Sequence, residues 1–217
     1  MNPSVRLRKK LKHIPASNIG EHRTSRNLSR ILAEIRACRV CALSLPHEPR
    51  PVLRASSTAR LAICSQAPGT RVHASGMPFT DASGDRLRAW LGIGPDVFYD
   101  EHRIAIVPMG FCFPGLDAKG GDLPPRKECA PLWHARIFAA LPQIELKLLI
   151  GAHAQAWHLQ GRLRENMTAT VRAWREYLPA YLPLPHPSWR NNGWLSANPW
   201  FAGELVPDLR ERVRALL

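Results

Sequence analysis

Residues Ser65 to Arg88 read SQAPGTRVHASGMPFTDASGDRLR and follow a short apolar run, Leu61 to Cys64. The apolar run stops at a Pro-Gly turn, and the loop after it contains a histidine, an aromatic ring and an aspartate. Ser83 then caps an apparent helix, so the order is strand, polar loop and helix. Open α/β sheets bind their ligands where strands end in such loops. The stretch is therefore the first candidate for a functional site.

Strand and helix patterns alternate along the chain. Apolar β-type runs predict strands at 61–64, 104–107, 146–150 and 182–184. Helical spacing predicts helices at 27–37, 85–91, 129–141, 153–159, 167–177 and 202–217. The alternation predicts an α/β fold of three layers, α/β/α, around a central and mostly parallel four-stranded sheet. In this interpretation residues 27–217 form the domain and residues 1–26 form a basic, flexible arm.

The chain is strongly basic, with 30 Lys and Arg against 17 Asp and Glu and a formal net charge of +13. Such a balance favours a polyanionic partner, and nucleic acid is the usual one. The first 30 residues contain eight basic side chains and one acid, Glu21. This composition is typical of a solvated tail, which can still add non-specific affinity for phosphate.

The sequence contains no apolar run long enough to cross a membrane and no secretory signal at its start. Its basic, Ser-containing start is similar to a mitochondrial presequence, but no other feature supports one. We therefore expect a cytoplasmic monomer without a membrane partner.

The stretch after the first strand resembles motif A of the uracil-DNA glycosylase superfamily, especially the branch written G-E-A-P-G…E-D…G-x-P-F-V-G-x-A-G. The matching residues are Gln66, Ala67, Pro68, Gly69, Gly76, Pro78, Phe79 and Gly84. The resemblance implies a base-excision enzyme in which Phe79 stacks on a flipped base and Ala67, Pro68 and Gly69 contribute to base binding. A Phe in this position can also simply fill the core.

A second segment, LPHPSWRNN at Leu184–Asn192, resembles motif B of the same superfamily and follows a short predicted strand. By this resemblance His186 donates to the base oxygen on which negative charge develops, as an oxyanion-hole donor does. Ser188 would hold a DNA phosphate, and Trp189 or Arg190 would fill the gap left by the extruded nucleotide. Without the resemblance, the segment describes a turn with a buried aromatic ring.

Motif A departs from its relatives at positions that perform chemistry. Gln66 stands where the iron–sulfur branch has Glu, Ala67 where another branch has the catalytic Asp, and Val72-His73 replace a Glu-Asp pair. His73, Asp81 and Gln66 remain as catalytic candidates that orient the attacking water. His73 also fits a phosphate contact, and Asp81 an acid at a helix N-terminus.

The strand predicted at 104–107, with Pro108 and Met109 after it, lacks the Asn that reads the uracil edge in several relatives. Loss of that reader predicts a permissive pocket that accepts uracil first and hypoxanthine or xanthine as well. The implied function is a monofunctional DNA glycosylase of base excision repair. The alternatives are a non-catalytic DNA-binding or damage-recognition protein, and a protein that binds a free nucleobase or nucleotide.

Four cysteines resemble the pattern of iron–sulfur members of the superfamily, with Cys38-x-x-Cys41 near the start and Cys112 and Cys129 downstream. The resemblance implies a [4Fe-4S] cluster that joins the N-terminal arm to the loop after the second strand. Zinc suits four cysteines equally, and spacing does not separate the two metals. Four unrelated buried thiols are the third possibility. Cys64, inside a strand, is expected to belong to the core.

Overall fold

The computed structural model describes residues 16–217, with side chains described from Thr24 onward. Most of the predicted arm, residues 1–15, lies outside the described residues. The remainder of the predicted arm belongs to the first helix, α1, which spans Ala16–Arg36 and so begins before the predicted start at Asn27. The apolar stripe of this helix begins only at Leu28, which explains why the hydrophobic pattern placed its start too late.

Short helices alternate with four strands through the described chain. The strands are β1 Leu61–Cys64, β2 Ile104–Ile106, β3 Leu146–Ile150 and β4 Tyr181–Leu184. The helices after α1 are α2 Thr70–Ser75, α3 Ala82–Leu91, α4 Pro95–Phe98, α5 Cys129–Ala139, α6 Ala152–His158, α7 Met167–Arg172, α8 Asn192–Ala197 and α9 Val206–Leu216. None of the helices in this part of the chain is long and apolar enough to span a membrane.

The four strands form one parallel sheet in the order β2-β1-β3-β4. Leu61 of β1 pairs with Ile104 of β2 on one side and with Leu146 of β3 on the other. The chain thus runs from β1 to β2 on one side of β1, and the next connection leads to β3 on the other side of β1. Ligands of open α/β sheets bind outside the carboxyl ends of the strands at such a switch point.

Alternate residues of each strand face opposite helical layers. Leu61 and Ile63 lie in one apolar cluster with residues of α3 and α9, such as Leu87 and Leu209. Ala62 lies in a second cluster on the other face, together with residues of α1 and α5. Helices therefore cover both faces, and the predicted three-layer α/β/α fold with a parallel four-stranded sheet is confirmed.

Candidate active site

A pocket opens at the carboxyl edge of the sheet, where β1, β2 and β4 end. Its lining residues are Val52, Ser65, Gln66, Ala67, Pro68, Gly69, Val72, Pro78, Phe79, Asp81, Ser83, Ile106, Pro108, Asp122 and His186. Most of the residues singled out in motif A and the histidine of motif B therefore line one cavity.

The start of motif A is held by backbone hydrogen bonds that extend the sheet beyond β1. The Ser65 carbonyl accepts from the Met109 amide at 2.7 Å, and the Gln66 carbonyl accepts from the Gly110 amide at 3.0 Å. The Gln66 side-chain amide donates to the Leu123 carbonyl at 3.4 Å. Gln66 thus connects motif A to the loop that follows β2.

The loop after Pro68 forms a helix that the sequence did not predict. Gly69 precedes α2, and Gly76 ends it in the left-handed conformation, with φ of 75°. A Cβ at Gly76 would lie 2.7 Å from the Arg50 guanidinium, whose Nη1 donates to the His73 and Ala74 carbonyls. Arg50 thereby satisfies carbonyls at the end of a helix too short to show hydrophobic periodicity.

Phe79 is held in a strained backbone conformation, with φ of 56°. Its carbonyl accepts hydrogen bonds from Arg88 Nη1 at 3.1 Å and from the Tyr99 hydroxyl at 2.9 Å. Gly84 makes this approach possible, because a Cβ there would lie 1.9 Å from the Phe79 carbonyl oxygen. The ring lines the pocket and packs edge-on against Phe98, so it belongs to both the pocket wall and the core. Backbone strain of this kind is concentrated at functional sites.

Asp81 lies in the pocket wall and also caps α3. Its Oδ1 accepts from the Gly84 amide at 3.1 Å. The structure thus shows the helix-terminal role considered for this acid. Burial lowers the pKa of His186, and the charge of the Asp81 carboxylate opposes part of that effect. One oxygen of Asp81 is therefore engaged in holding α3 against motif A.

His186 is oriented by its own loop. Its Nδ1 accepts from the Ser188 backbone amide at 3.2 Å, and Asn191 Nδ2 donates to its carbonyl at 2.7 Å. Burial lowers the pKa of His186, and the charge of Asp81 opposes part of this effect. The ring is therefore neutral at pH 7, and because a backbone amide can only donate, the ring proton is on Nε2.

The rest of motif B forms a ridge beside the pocket. Arg86 Nη1 donates to the Ser188 carbonyl at 3.0 Å, and Ser188 Oγ accepts from the Arg190 amide at 3.1 Å. The Trp189 side chain projects outward with 71% of its surface exposed, and the Arg190 guanidinium lies 5.6 Å from its ring centre. The alternative interpretation of this segment, a buried aromatic ring, is therefore wrong.

His73 is not among the pocket-lining residues. Its ring stacks on His47 with ring centres 5.0 Å apart, and it contacts Phe113 at 5.7 Å. Burial lowers its pKa, and the charges of His47 and Arg50 lower it further. The structure thus places His73 in a group of three rings rather than beside the other proposed catalytic residues.

Asp122 is a pocket residue that sequence reasoning missed. It belongs to the loop after β2, and its Oδ2 lies 3.3 Å from the position that a Cβ of Gly69 would occupy. Burial of the carboxylate raises the pKa of Asp122, the charges of Asp81 and Asp117 raise it further, and Arg190 lowers it. The sequence offered one indication of Asp122, namely its position in an acidic loop after the carboxyl end of a strand. Asp117 shares that signal but caps its own turn instead, by accepting from the Lys119 and Gly121 amides.

The wall contributed by β2 offers Ile106 and Pro108, in agreement with the missing Asn. The Pro108 carbonyl accepts from Nε2 of the buried His134 at 3.0 Å. Burial lowers the pKa of His134 to about 4, so this histidine is neutral at pH 7 and donates from behind the pocket. This side of the pocket is therefore lined by apolar side chains.

Cys38, Cys41, Cys112 and Cys129 line a second cavity, between the end of α1 and the start of α5. Burial raises the pKa of Cys112 to about 11 and that of Cys129 to about 12. Two buried polar atoms of the same cavity, Arg126 Nε and Glu128 Oε2, have no hydrogen-bond partner. Within residues 16–217, however, no group of three or more His, Cys, Asp or Glu side chains is arranged to hold a single metal ion. The four thiols therefore share one cavity, and the charges of Cys38 and Cys41 contribute to raising the pKa values of Cys112 and Cys129. The fifth cysteine, Cys64, is fully buried in the core, as expected.

A parallel sheet with this pocket at its switch point defines an α/β protein that binds its ligand at the carboxyl edge of the strands. The family model of the uracil DNA glycosylase superfamily matches residues 54–210, which include the whole sheet and both motifs. The chain belongs to this superfamily. Its members are generally hydrolases that act on DNA as glycosylases. The match begins after Cys38 and Cys41 and so does not assign the chain to the iron–sulfur branch.

Proposed function

We propose that the protein is a monofunctional DNA glycosylase, active as a monomer, that hydrolyses the N-glycosidic bond of deaminated bases in base excision repair, with uracil as its first substrate. The observation that supports this most directly is the neutral His186, whose Nε2–H is available in a pocket also lined by Phe79 and motif A. This combination suits a site that holds a flat base and stabilises it as a leaving group.

His186 would act on the departing base. When the bond between C1′ and the base nitrogen breaks, its electron pair leaves with the base and negative charge develops on a base oxygen. A preorganised donor aimed at that oxygen lowers the barrier, because its attraction is stronger in the transition state than in the ground state. Water then adds to C1′ and leaves an abasic site. A neutral donor also avoids burying a charge in the empty pocket.

Phe79 would stack on the flipped base, and the apolar wall of Ile106 and Pro108 would read its shape rather than its edge. A pocket that lacks a side-chain reader penalises altered base edges less, because fewer buried polar groups are left unpaired. We therefore include hypoxanthine and xanthine among the proposed substrates. Single-stranded or mismatched sites should be preferred, because extruding the base costs less there.

The ridge beside the pocket would contact DNA. Ser188 and Arg190 are placed to bind backbone phosphate, and the exposed Trp189 is placed to enter the space left by the extruded nucleotide. The net charge of +13 adds sequence-independent attraction to the duplex.

For the cysteine cavity we propose a [4Fe-4S] cluster held by Cys38, Cys41, Cys112 and Cys129. The four thiols line one cavity, and the resemblance of their sequence pattern to iron–sulfur members of the superfamily supports the cluster. Zinc in the same four-cysteine site is the alternative. The cluster would supply structural cross-linking and take no part in hydrolysis.

A non-catalytic protein that binds damaged DNA is the alternative function. The replacement of motif A carboxylates by Gln66 and Ala67 favours it, whereas the orientation of His186 favours catalysis. The two functions differ in turnover rather than in DNA binding.

The first prediction tests the activity itself. Oligonucleotides containing uracil, hypoxanthine, xanthine or a thymine mismatch are incubated with excess protein, and alkali then cleaves the strand at any abasic site. We expect scission at uracil, weaker scission at the two deaminated purines and faster reaction in single strands. Cleavage of uracil alone would show that the pocket contains an edge reader. Retained DNA binding without scission at any base would establish the non-catalytic alternative.

A further inference from the structure

We propose that Asp122 is the general base that orients and deprotonates the attacking water, and that it replaces the carboxylates missing from motif A. This inference rests on the proposed glycosylase function. It assigns the activation of water to one residue, because Gln66 and Ala67 stand where relatives have catalytic carboxylates. Asp122 comes from the loop after β2 and not from motif A, so neither motif contains it.

The position of Asp122 suits this role. Its carboxylate lies directly over Gly69, in the wall of the cavity that contains His186 and Phe79. The absence of a side chain at Gly69 leaves room for the carboxylate, because a Cβ there would lie 3.3 Å from Oδ2. Neighbouring residues cover the Asp122 carboxylate only in part, and the residue as a whole is exposed, so a water molecule can reach it.

The loop is also fixed in place. Gln66 holds it through the Leu123 carbonyl, and the Leu123 amide donates to the Gly115 carbonyl at 2.9 Å. Asp117 closes the turn at the other end of the loop through two backbone amides. The Asp122 carboxylate itself accepts no hydrogen bond from the described residues 16–217, so both of its oxygens remain available to water.

The other candidates are less suited to the step. Asp81 uses Oδ1 to cap α3, and the amide of Gln66 is engaged with Leu123. His73 is stacked with His47 and Phe113 and does not line the pocket. Of the two carboxylates that line the pocket, Asp122 has both oxygens free of hydrogen bonds from the described residues, whereas Asp81 has only Oδ2 free.

The chemical step balances with water as the only co-reactant. The C1′–N bond breaks, and its electron pair leaves with the base while His186 Nε2–H stabilises the resulting anion. The water oxygen forms the new bond to C1′, and one water proton passes to the Asp122 carboxylate. The protonated Asp122 then gives that proton to solvent or to the departing base. The products are a neutral base and an abasic deoxyribose.

The charged groups around Asp122 determine its pH dependence. Burial and the neighbouring Asp81 and Asp117 raise the pKa of Asp122 above 3.8, while Arg190 opposes them. A general base acts in its deprotonated form, so the rate should fall as the pH drops through this raised pKa. His186, whose pKa lies below 6.5, is the second group of the pocket expected to titrate on the acid side.

The test compares Asp122→Asn with wild-type protein on uracil-containing single-stranded DNA under single-turnover conditions. We expect the rate to fall by about 100-fold or more, within the range that general bases contribute. DNA affinity should be unchanged or higher, because the variant removes a negative charge from a surface that faces phosphates.

The fall in rate at low pH that belongs to the protonation of Asp122 should disappear from the pH profile of the variant. Added formate should raise the rate of Asp122→Ala, since a small carboxylate can occupy the vacated space.

Glu211→Gln is the matched control, because Glu211 is an exposed acid of α9 that does not line the pocket. It should cleave near the wild-type rate. Thermal melting should show Asp122→Asn to be at least as stable as wild type at pH 7, because the variant removes a carboxylate with a raised pKa.

An Asp122→Asn variant with the wild-type rate and pH profile overturns the inference and leaves the glycosylase function intact. Wild-type protein that cleaves no deaminated base removes the proposed function and this inference together.

Discussion

A single backbone hydrogen bond determines which nitrogen of His186 can act as a donor. Because the Ser188 amide donates to Nδ1, the neutral ring has its proton on Nε2. A protonated ring would place a second hydrogen opposite that amide and lose the contact. Burial lowers the pKa of His186, so both effects favour the neutral donor at pH 7. The orientation of this residue thus depends on its immediate neighbours in sequence.

Replacing His186 by Ala should slow single-turnover cleavage of uracil DNA by about 100-fold or more, the loss typical of one oxyanion-type donor. DNA affinity should change little, because Arg190 and Trp189 remain on the ridge. His102→Ala is the control, since His102 is exposed and contacts Ser56 and Thr58 far from the pocket. A His186→Ala variant that cleaves at the wild-type rate contradicts the assignment of motif B.

At the scale of elements, α3 and α4 together fix Phe79. Arg88 from α3 and Tyr99, just after α4, both donate to the Phe79 carbonyl, and Gly84 lets α3 approach it. Asp81 then holds the first turn of α3. A residue with φ of 56° persists only because these surroundings determine it, so the position of the Phe79 ring depends on helix packing.

Gly84→Ala tests this arrangement. The new Cβ would lie 1.9 Å from the Phe79 carbonyl oxygen, so α3 or Phe79 must move. We expect a loss of roughly 1–3 kcal/mol in the free energy of unfolding, as for other overpacked sites. Uracil cleavage should fall in the protein that remains folded. Gly203→Ala is the control, because a Cβ there meets no atom within 4 Å. Chemical denaturation and cleavage assays measure both effects, and equal behaviour of the two variants would contradict the argument.

The sequence predicted the elements whose signals are local. The apolar runs of β1 and β3 have the same bounds in the structure, and the order of motifs placed Phe79 and His186 at one pocket. Helix α2 was missed because its six residues are too short for hydrophobic periodicity and depend on Gly69, Gly76 and Arg50. Asp122 was missed because only the folded loop distinguishes it from Asp117.

At the scale of the whole molecule, the cysteine cavity joins segments that are distant in sequence. Cys38 and Cys41 follow α1, while Cys112 and Cys129 lie at the two ends of the loop that contains Asp122. A cluster bound there would close this loop at both ends and attach it to the helical layer of α1 and α5. The proposed cofactor would therefore support the position of Asp122 without taking part in the reaction.

Anaerobically purified protein should be brown and contain about four iron and four sulfide per chain, as the proposed [4Fe-4S] cluster requires. Cys129→Ser should reduce the iron content and lower the Tm by several degrees, because metal-binding energy is folding energy and each kcal/mol lost lowers the Tm by about 2–4 °C at this size. Cys64→Ala is the matched control, since it removes a buried thiol outside the cavity and should leave the iron content unchanged.

Removal of the cluster should reduce stability more than the single-turnover rate of the folded fraction, because the cluster has no part in hydrolysis. Zinc in place of iron would correct the metal and preserve the site, whereas protein with neither metal would leave the four cysteines as buried thiols.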